Sequence, residues 1–128
     1  MENDLFQILE YGKITEMLAE RAGSMLGKRK ALALLPSSDF EIVAERMAET
    51  AEAVAVMEQA PPLGGIYDLY AILKKAGLGA VLELDDFSAV KNTMYAMRGV
   101  KYFFRDLEME TPILKEWACG IEILGQLE

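Results

Sequence analysis

The sequence predicts an all-α fold, an irregular bundle of about six helices. Apolar residues recur at spacings of three and four rather than two, which is the period of helices and not of strands. Capping residues, prolines and glycines divide this pattern into segments of helix length. With 52% hydrophobic residues in 128 positions, the chain can build one core. We therefore predict a single helical domain over residues 1–128.

The first third of the chain is predicted to form three short helices. Asn3 caps the first, and the second begins after Tyr11-Gly12. Gly23-Ser24 ends the second helix and caps the third. The third helix is expected to reach Leu34 or Leu35, because Pro36 disfavours the helical conformation of the residue before it.

The clearest helix start lies after Pro36. Ser38, followed three residues later by Glu41, forms a capping box, and the helix is predicted from Phe40 to about Gln59. One face of this helix is apolar, and most of its charged residues lie on the other face, which is predicted to be solvated; they are Glu41, Glu45, Arg46, Glu49 and Glu52. We predict that the helix packs through its apolar stripe, which consists of Val43, Ala44, Met47, Ala51 and Val54.

The second half begins with a loop over residues 60–65, which is rich in proline and glycine. Asp68 is predicted to cap a short helix over residues 69–76. A lone strand over residues 80–82 is the less favoured alternative to a loop. The longest helix is expected to open at Asp85 or Asp86. Thr111 and Pro112 then start a last helix whose apolar residues are Leu114, Trp117, Ala118, Ile121 and Leu124.

Charge and cysteine content limit the possible functions. The formal charge of −8 disfavours an autonomous nucleic-acid binder, because such binding depends on Lys and Arg at phosphates. The single cysteine, Cys119, permits no intrachain disulfide and fits a reducing compartment. The acidic start resembles no signal peptide, and no apolar run could span a bilayer. We therefore expect a cytoplasmic protein.

No catalytic, cofactor or metal site is predicted in this chain. It contains no histidine, which removes the usual neutral-pH base and the commonest metal ligand. Cys119 is interpreted as a buried structural thiol within an apolar helical pattern. The carboxylates lie mainly on helix faces and near helix starts, where they are interpreted as a solvated surface.

Two groups of residues are candidates for contacts with partners. In the loop after Pro61, Leu63 and Ile66 flank Gly64 and Gly65, which let another backbone approach. The loop is therefore a candidate docking point on a neighbouring domain or protomer; a tight turn against its own core is an equally weighted alternative. The densest positive cluster is a candidate phosphate contact, although solvation is the favoured interpretation; it consists of Lys28, Arg29 and Lys30.

Several short strings occur in a fixed order along the chain, and they are Leu9-Glu10-Tyr11, Leu26-Gly27-Lys28, Leu35-Pro36-Ser37, Glu49-Thr50, Pro62-Leu63-Gly64-Gly65-Ile66 with Asp68, and Asp85-Asp86-Phe87. This order resembles the N-terminal core region of the second MutS subfamily, the bacterial MutS-like recombination suppressors. The resemblance covers nearly the whole chain. It implies a fragment of a longer protein, and Leu127-Glu128 is compatible with a cloning remnant.

The resemblance implies a helical core or lever region of a DNA-binding ATPase of the mismatch repair family. Such proteins are dimers that engage branched DNA or recombination intermediates, some with an endonuclease domain and some acting on collided ribosomes. ATP and Mg would be cofactors of the full-length protein only, and the partners would be its ATPase and clamp regions. The alternative is an independent acidic helical module for protein–protein interaction.

Overall fold

The computed structural model describes residues 10–126, which form six helices and no strand. The predicted all-α class is therefore confirmed. The helices are α1 Tyr11–Arg21, α2 Met25–Leu32, α3 Phe40–Met57, α4 Tyr70–Gly77, α5 Leu84–Asp106 and α6 Pro112–Cys119. None of these helices is long and apolar enough to cross a membrane.

The chain divides into two compact units, Met1–Pro36 and Ser37–Glu128. The first contains α1 and α2, and the second contains α3 to α6. Because two compact units can belong to one domain, the prediction of a single domain over residues 1–128 stays a prediction.

In the first unit, α1 and α2 pack against each other through small side chains. Ala19 and Ala31 are buried, and Ser24 caps α2 as predicted, its Oγ accepting a hydrogen bond from the Gly27 N–H at 3.0 Å. The helix α1 already begins at Tyr11, so the predicted start after Tyr11-Gly12 comes too late. The predicted Asn3 cap and the helix after it lie outside the described residues.

The end of α2 was predicted too late. The helix ends at Leu32, because Ala33 leaves the helical conformation and the Leu34 N–H instead bonds the carbonyl of Ala31 at 3.3 Å. This closes a tighter final turn of the 3₁₀ type.

The start of α3 differs from the predicted capping box by one residue. Asp39, not Ser38, is the N-cap, and its Oδ1 accepts hydrogen bonds from the N–H groups of Glu41 at 2.9 Å and Ile42 at 3.4 Å. A charged carboxylate also interacts more favourably with the positive end of the helix dipole than a neutral hydroxyl does. The helix ends at Met57, close to the predicted Gln59.

The predicted packing face of α3 is wrong. Met47 and Val54, which were assigned to the buried stripe, are 65% and 67% exposed, whereas Val56 on another face is 1% exposed. Glu52, which was assigned to the solvated face, bonds α6. The helix therefore packs through the face that carries Glu52 and Val56, and its apolar stripe faces outward.

The helices α4 and α5 begin close to the predicted positions. Asp68 Oδ1 accepts from the Tyr70 N–H at 3.1 Å, and residues 80–82 form no strand. At the start of α5 the N-cap is Glu83 and not Asp85 or Asp86. Asp86 completes a capping box, its Oδ2 accepting from the Glu83 N–H at 2.9 Å.

The last helix, α6, is shorter than predicted. It ends at Cys119 rather than at Leu124, because Lys101 of α5 binds the carbonyls of Cys119 and Ile121 at 3.2 and 2.5 Å and so takes up acceptors at the helix end. The core of the second unit lies between three helices, with Val56 from α3, Phe104 from α5 and Ala118 from α6.

Candidate docking groove

The second unit contains an apolar groove of about 400 Å³ above this core. Its walls come from α3, α5, α6 and the loop after α3. Apolar side chains line it throughout, and they are Ala53, Val56, Met57, Pro61, Leu63, Val100, Phe104, Leu114, Trp117, Ala118 and Ile121. Such a surface binds by burial of apolar area and offers no group for acid–base chemistry.

The floor of the groove is buried, while its wall is accessible. Val56, Phe104 and Ala118 are at most 7% exposed, and Phe104 packs edge-to-face against Phe103 with ring centroids 5.2 Å apart. Trp117, by contrast, is 55% exposed. A large, half-covered indole beside a packed floor is typical of an anchor point for a partner.

The wall formed by α6 is fixed at its N-terminal end by α3. Both carboxylate oxygens of Glu52 accept backbone hydrogen bonds, from Ile113 at 3.2 Å and from Leu114 at 2.9 Å. Thr111, the N-cap residue itself, makes no capping bond with its side chain. A carboxylate from another helix therefore replaces the local cap and attaches α6 to α3.

The C-terminal end of α6 is fixed by a positively charged side chain of α5, as its N-terminal end is fixed by a negatively charged side chain of α3. The ammonium group of Lys101 donates to the carbonyls of Cys119 and Ile121, where a positive charge is favoured by the helix dipole. Lys115 also donates to the Leu107 carbonyl at 2.7 Å. These bonds hold the groove wall in one position relative to its floor.

The predicted docking residues lie partly at this groove. Leu63 lines it and is 48% exposed, whereas Ile66 is half-buried. The loop also contacts its own unit, since the Tyr67 N–H donates to Thr93 Oγ1 on α5 at 3.0 Å. The assignment of Leu63, Gly64, Gly65 and Ile66 as docking residues stays a prediction.

Gly65 sets the path of this loop, because its φ of +80° is a conformation that other residues rarely adopt. We expect Gly65→Ala to lower the free energy of unfolding by about 1–2 kcal/mol through backbone strain, as measured by urea unfolding. A Cβ there would meet the Ala96 Cβ at 3.7 Å and the Asn92 carbonyl oxygen at 3.9 Å, both ordinary contact distances, so a steric clash is not the cause. Gly64→Ala is the matched control, because open space surrounds Gly64. Equal effects of the two substitutions would contradict the strain argument.

The predicted phosphate-contact residues lie on α2 of the first unit, whereas the groove belongs to the second unit. Lys28, Arg29 and Lys30 are all exposed. Within one turn of an α-helix, three consecutive side chains spread over its circumference, so they do not converge on a single point. Their contact with phosphate stays a prediction.

The described residues contain no group of three or more potential metal-ligating side chains. Cys119 is exposed and not buried as predicted, because α6 turns Ala118 inward instead.

The ion pair of Lys75 and Asp86, at 2.8 Å, joins α4 to the start of α5. Its hydrogen bond lowers the pKa of Asp86 and raises the pKa of Lys75, which is the signature of a structural ion pair.

Most of the groove could not be predicted from the sequence. The sequence predicts Trp117 only as an apolar residue of the last helix, and it predicts Glu52 on the solvated face of α3. The contact between Glu52 and Leu114 joins residues 62 positions apart, and no local signal reports it. The one available signal was Thr111-Pro112, which marks a helix start but not the distant carboxylate that caps it.

No family model matches the chain. The chain is 38% identical over 127 residues to proteins named Endonuclease MutS2 from Bacillus cereus (strain B4264), Bacillus thuringiensis (strain Al Hakam) and Bacillus anthracis. Each match takes in 95% of this chain and 16% of the length of the relative. The predicted resemblance to the second MutS subfamily is thus confirmed for nearly the whole chain.

Proposed function

We propose that this chain, a segment of a protein of the second MutS subfamily, is a non-catalytic helical scaffold of a DNA-binding ATPase. The whole protein would act on branched DNA or recombination intermediates. Collided ribosomes would be a second kind of target. It would use ATP and Mg in another part of the polypeptide, and it would work as a homodimer in the cytoplasm.

The observation that carries this proposal is the attachment of α6 to two other helices. Glu52 holds one end of α6 and Lys101 holds the other. A displacement of the groove wall is therefore passed to α3 and α5, because packed helices move as rigid bodies. We infer that the ATPase or clamp region docks in the groove and that the scaffold passes its movement on.

The test uses the Bacillus cereus relative with its matching segment replaced by this chain. We expect the chimera to bind branched DNA in a way that changes on addition of ATP. Trp117→Glu should abolish the ATP-dependent change while leaving binding at low salt intact, because a charge in the groove prevents docking but removes no phosphate contact.

Tyr70→Glu is the matched control, since Tyr70 is an aromatic residue that is 72% exposed outside the groove. It should leave the ATP-dependent change unaltered. An unaltered ATP response in the Trp117→Glu protein would contradict the scaffold mechanism. Circular dichroism of both variants would establish that they are folded.

The second candidate, an independent interaction module, is favoured by one specific observation. The groove is apolar and accessible, and the second unit contains 16 acidic and 8 basic residues over positions 37–128. Such a surface suits a basic amphipathic helix. The test is to delete the matching segment from the Bacillus cereus relative. If the shortened protein bound DNA with the same ATP response, the module would be favoured over the scaffold.

A further inference from the structure

The acidic charge of the chain is distributed unevenly between the two units. Residues 1–36 contain five acidic and five basic residues, so the formal charge of −8 belongs to residues 37–128. Positions 21–36 contain no acidic residue and four of the basic ones, and these are Arg21, Lys28, Arg29 and Lys30. The net negative charge that disfavours nucleic-acid binding is therefore absent from this stretch.

The first unit contains a cleft of about 360 Å³, which is lined by residues at the end of α1 and along α2. Its floor consists of the small residues Ala22, Gly27 and Ala31, the last of which is buried. Leu18 and Leu34, both exposed, stand at its sides. The volume lies in the range of clefts that bind small ligands.

Among the described residues, the charged side chains that line this cleft are both cations, Arg21 and Lys30. Helical spacing places Lys30 on the same face of α2 as Gly27 and Ala31, and Arg21 on the same side of α1 as Leu18. Neither cation forms an ion pair or a side-chain hydrogen bond with a described residue. Two cations that meet at one opening without a carboxylate form a site for an anion.

The chemistry of the cleft fits a phosphate group of a nucleic-acid strand. The guanidinium of Arg21 presents paired N–H donors that match two phosphate oxygens, and the ammonium of Lys30 adds a point charge to the same group. The exposed side chains of Leu18 and Leu34 can contact the carbon atoms of the adjoining sugar. A mixed polar and apolar site of this kind holds a backbone unit without reading its base.

We propose that Arg21 and Lys30 bind a backbone phosphate of a DNA strand in this cleft. The inference rests on the proposed function, a DNA-binding ATPase, and places one of its DNA contacts within this segment. It differs from the predicted cluster of three consecutive cations, because it pairs cations of two helices. Lys28 and Arg29 do not line the cleft, so they add attraction at a distance and no direct contact there.

The first experiment measures binding of a fluorescein-labelled DNA duplex to the 128-residue chain by anisotropy, over a salt series and without ATP. Lys30→Gln should weaken binding at low salt about fivefold to tenfold, because one phosphate contact is lost. The slope of log Kd against log salt should fall in magnitude by about one. Arg21→Gln should have the same two effects.

Lys28→Gln is the matched control. It removes the same charge from the same helix at an exposed position that does not line the cleft. We expect it to weaken binding by less than about twofold, since it changes only the long-range attraction. Arg21, Lys28 and Lys30 are all exposed, so the three variants should fold alike, as circular dichroism would establish.

The second experiment locates the bound strand by the amide chemical shifts of the chain during titration with the same duplex. We expect the largest changes at Ala22, Gly27 and Ala31, which line the cleft, and none at Ala118 in the groove of the second unit. Vesicles of phosphatidylglycerol are titrated in parallel, because their headgroups carry the same phosphodiester group. We expect no change of these amides with the vesicles.

Three results would overturn the proposal. Equal weakening by Lys30→Gln and Lys28→Gln would show a diffuse attraction to exposed cations and no site in the cleft. Absence of binding by the unaltered chain at low salt would show that this segment makes no contact with DNA. Binding of the vesicles but not of the duplex would assign the cleft to a lipid surface. None of these measurements involves ATP or the groove, so their failure is separate from that of the ATP-response test.

Discussion

Replacing Phe104 by alanine should lower the free energy of unfolding by about 3–5 kcal/mol, the largest effect of any single truncation in the second unit. Phe104 is 7% exposed and forms the floor of the groove together with Val56 and Ala118. Its removal forfeits apolar burial and leaves a cavity among three helices that cannot close freely, because α6 is held at both ends. Urea unfolding followed by far-ultraviolet circular dichroism measures the change.

Phe87→Ala provides the comparison, because it removes the same atoms from the same helix at a position that is 58% exposed. We expect its effect to stay within about 1 kcal/mol. Similar losses for the two substitutions would show that burial in this core does not determine the stability of the unit.

Replacing Glu52 by alanine should cost about 1–3 kcal/mol, because two backbone N–H groups at the start of α6 lose their acceptor. Those of Ile113 and Leu114 lie 3.2 and 2.9 Å from the carboxylate. The first turn of α6 should open more often, so the amide protons of these two residues should exchange faster with solvent. Hydrogen exchange together with urea unfolding distinguishes this local effect from a global one.

Glu45→Ala is the matched control, since Glu45 is an exposed glutamate two turns earlier on α3. Removing it should change stability by less than about 0.5 kcal/mol. If Glu45→Ala destabilised the chain as strongly as Glu52→Ala, general charge effects on α3 would explain both, and the cap would not.

The order and class of the helices could be predicted from the sequence because they depend on local signals. Spacing, glycines and prolines identified all six helices of the described residues to within a few positions, and Ser24 was assigned correctly as a cap. Caps shifted where two polar residues compete. The N-cap of α3 is Asp39 rather than Ser38, and the N-cap of α5 is Glu83 rather than Asp85 or Asp86. The choice between neighbouring polar side chains depends on backbone angles that the sequence does not report.

The faces of the helices were harder to predict, and α3 shows the physical reason. Periodicity tells which residues share a face, but it does not tell what covers that face. Met47 and Val54 share an apolar stripe as predicted, yet they face outward, while Glu52 faces α6. The groove was missed for the same reason, because its walls come from residues far apart in sequence.

The position of Trp117 gives the molecule an optical property. It is the sole tryptophan of the chain, and it stands half-exposed on the groove wall. Indole emission shifts to shorter wavelength when water around the ring is displaced by apolar contacts. The emission colour of the whole chain is therefore set at the groove, and any occupant that covers this ring is detectable without a label.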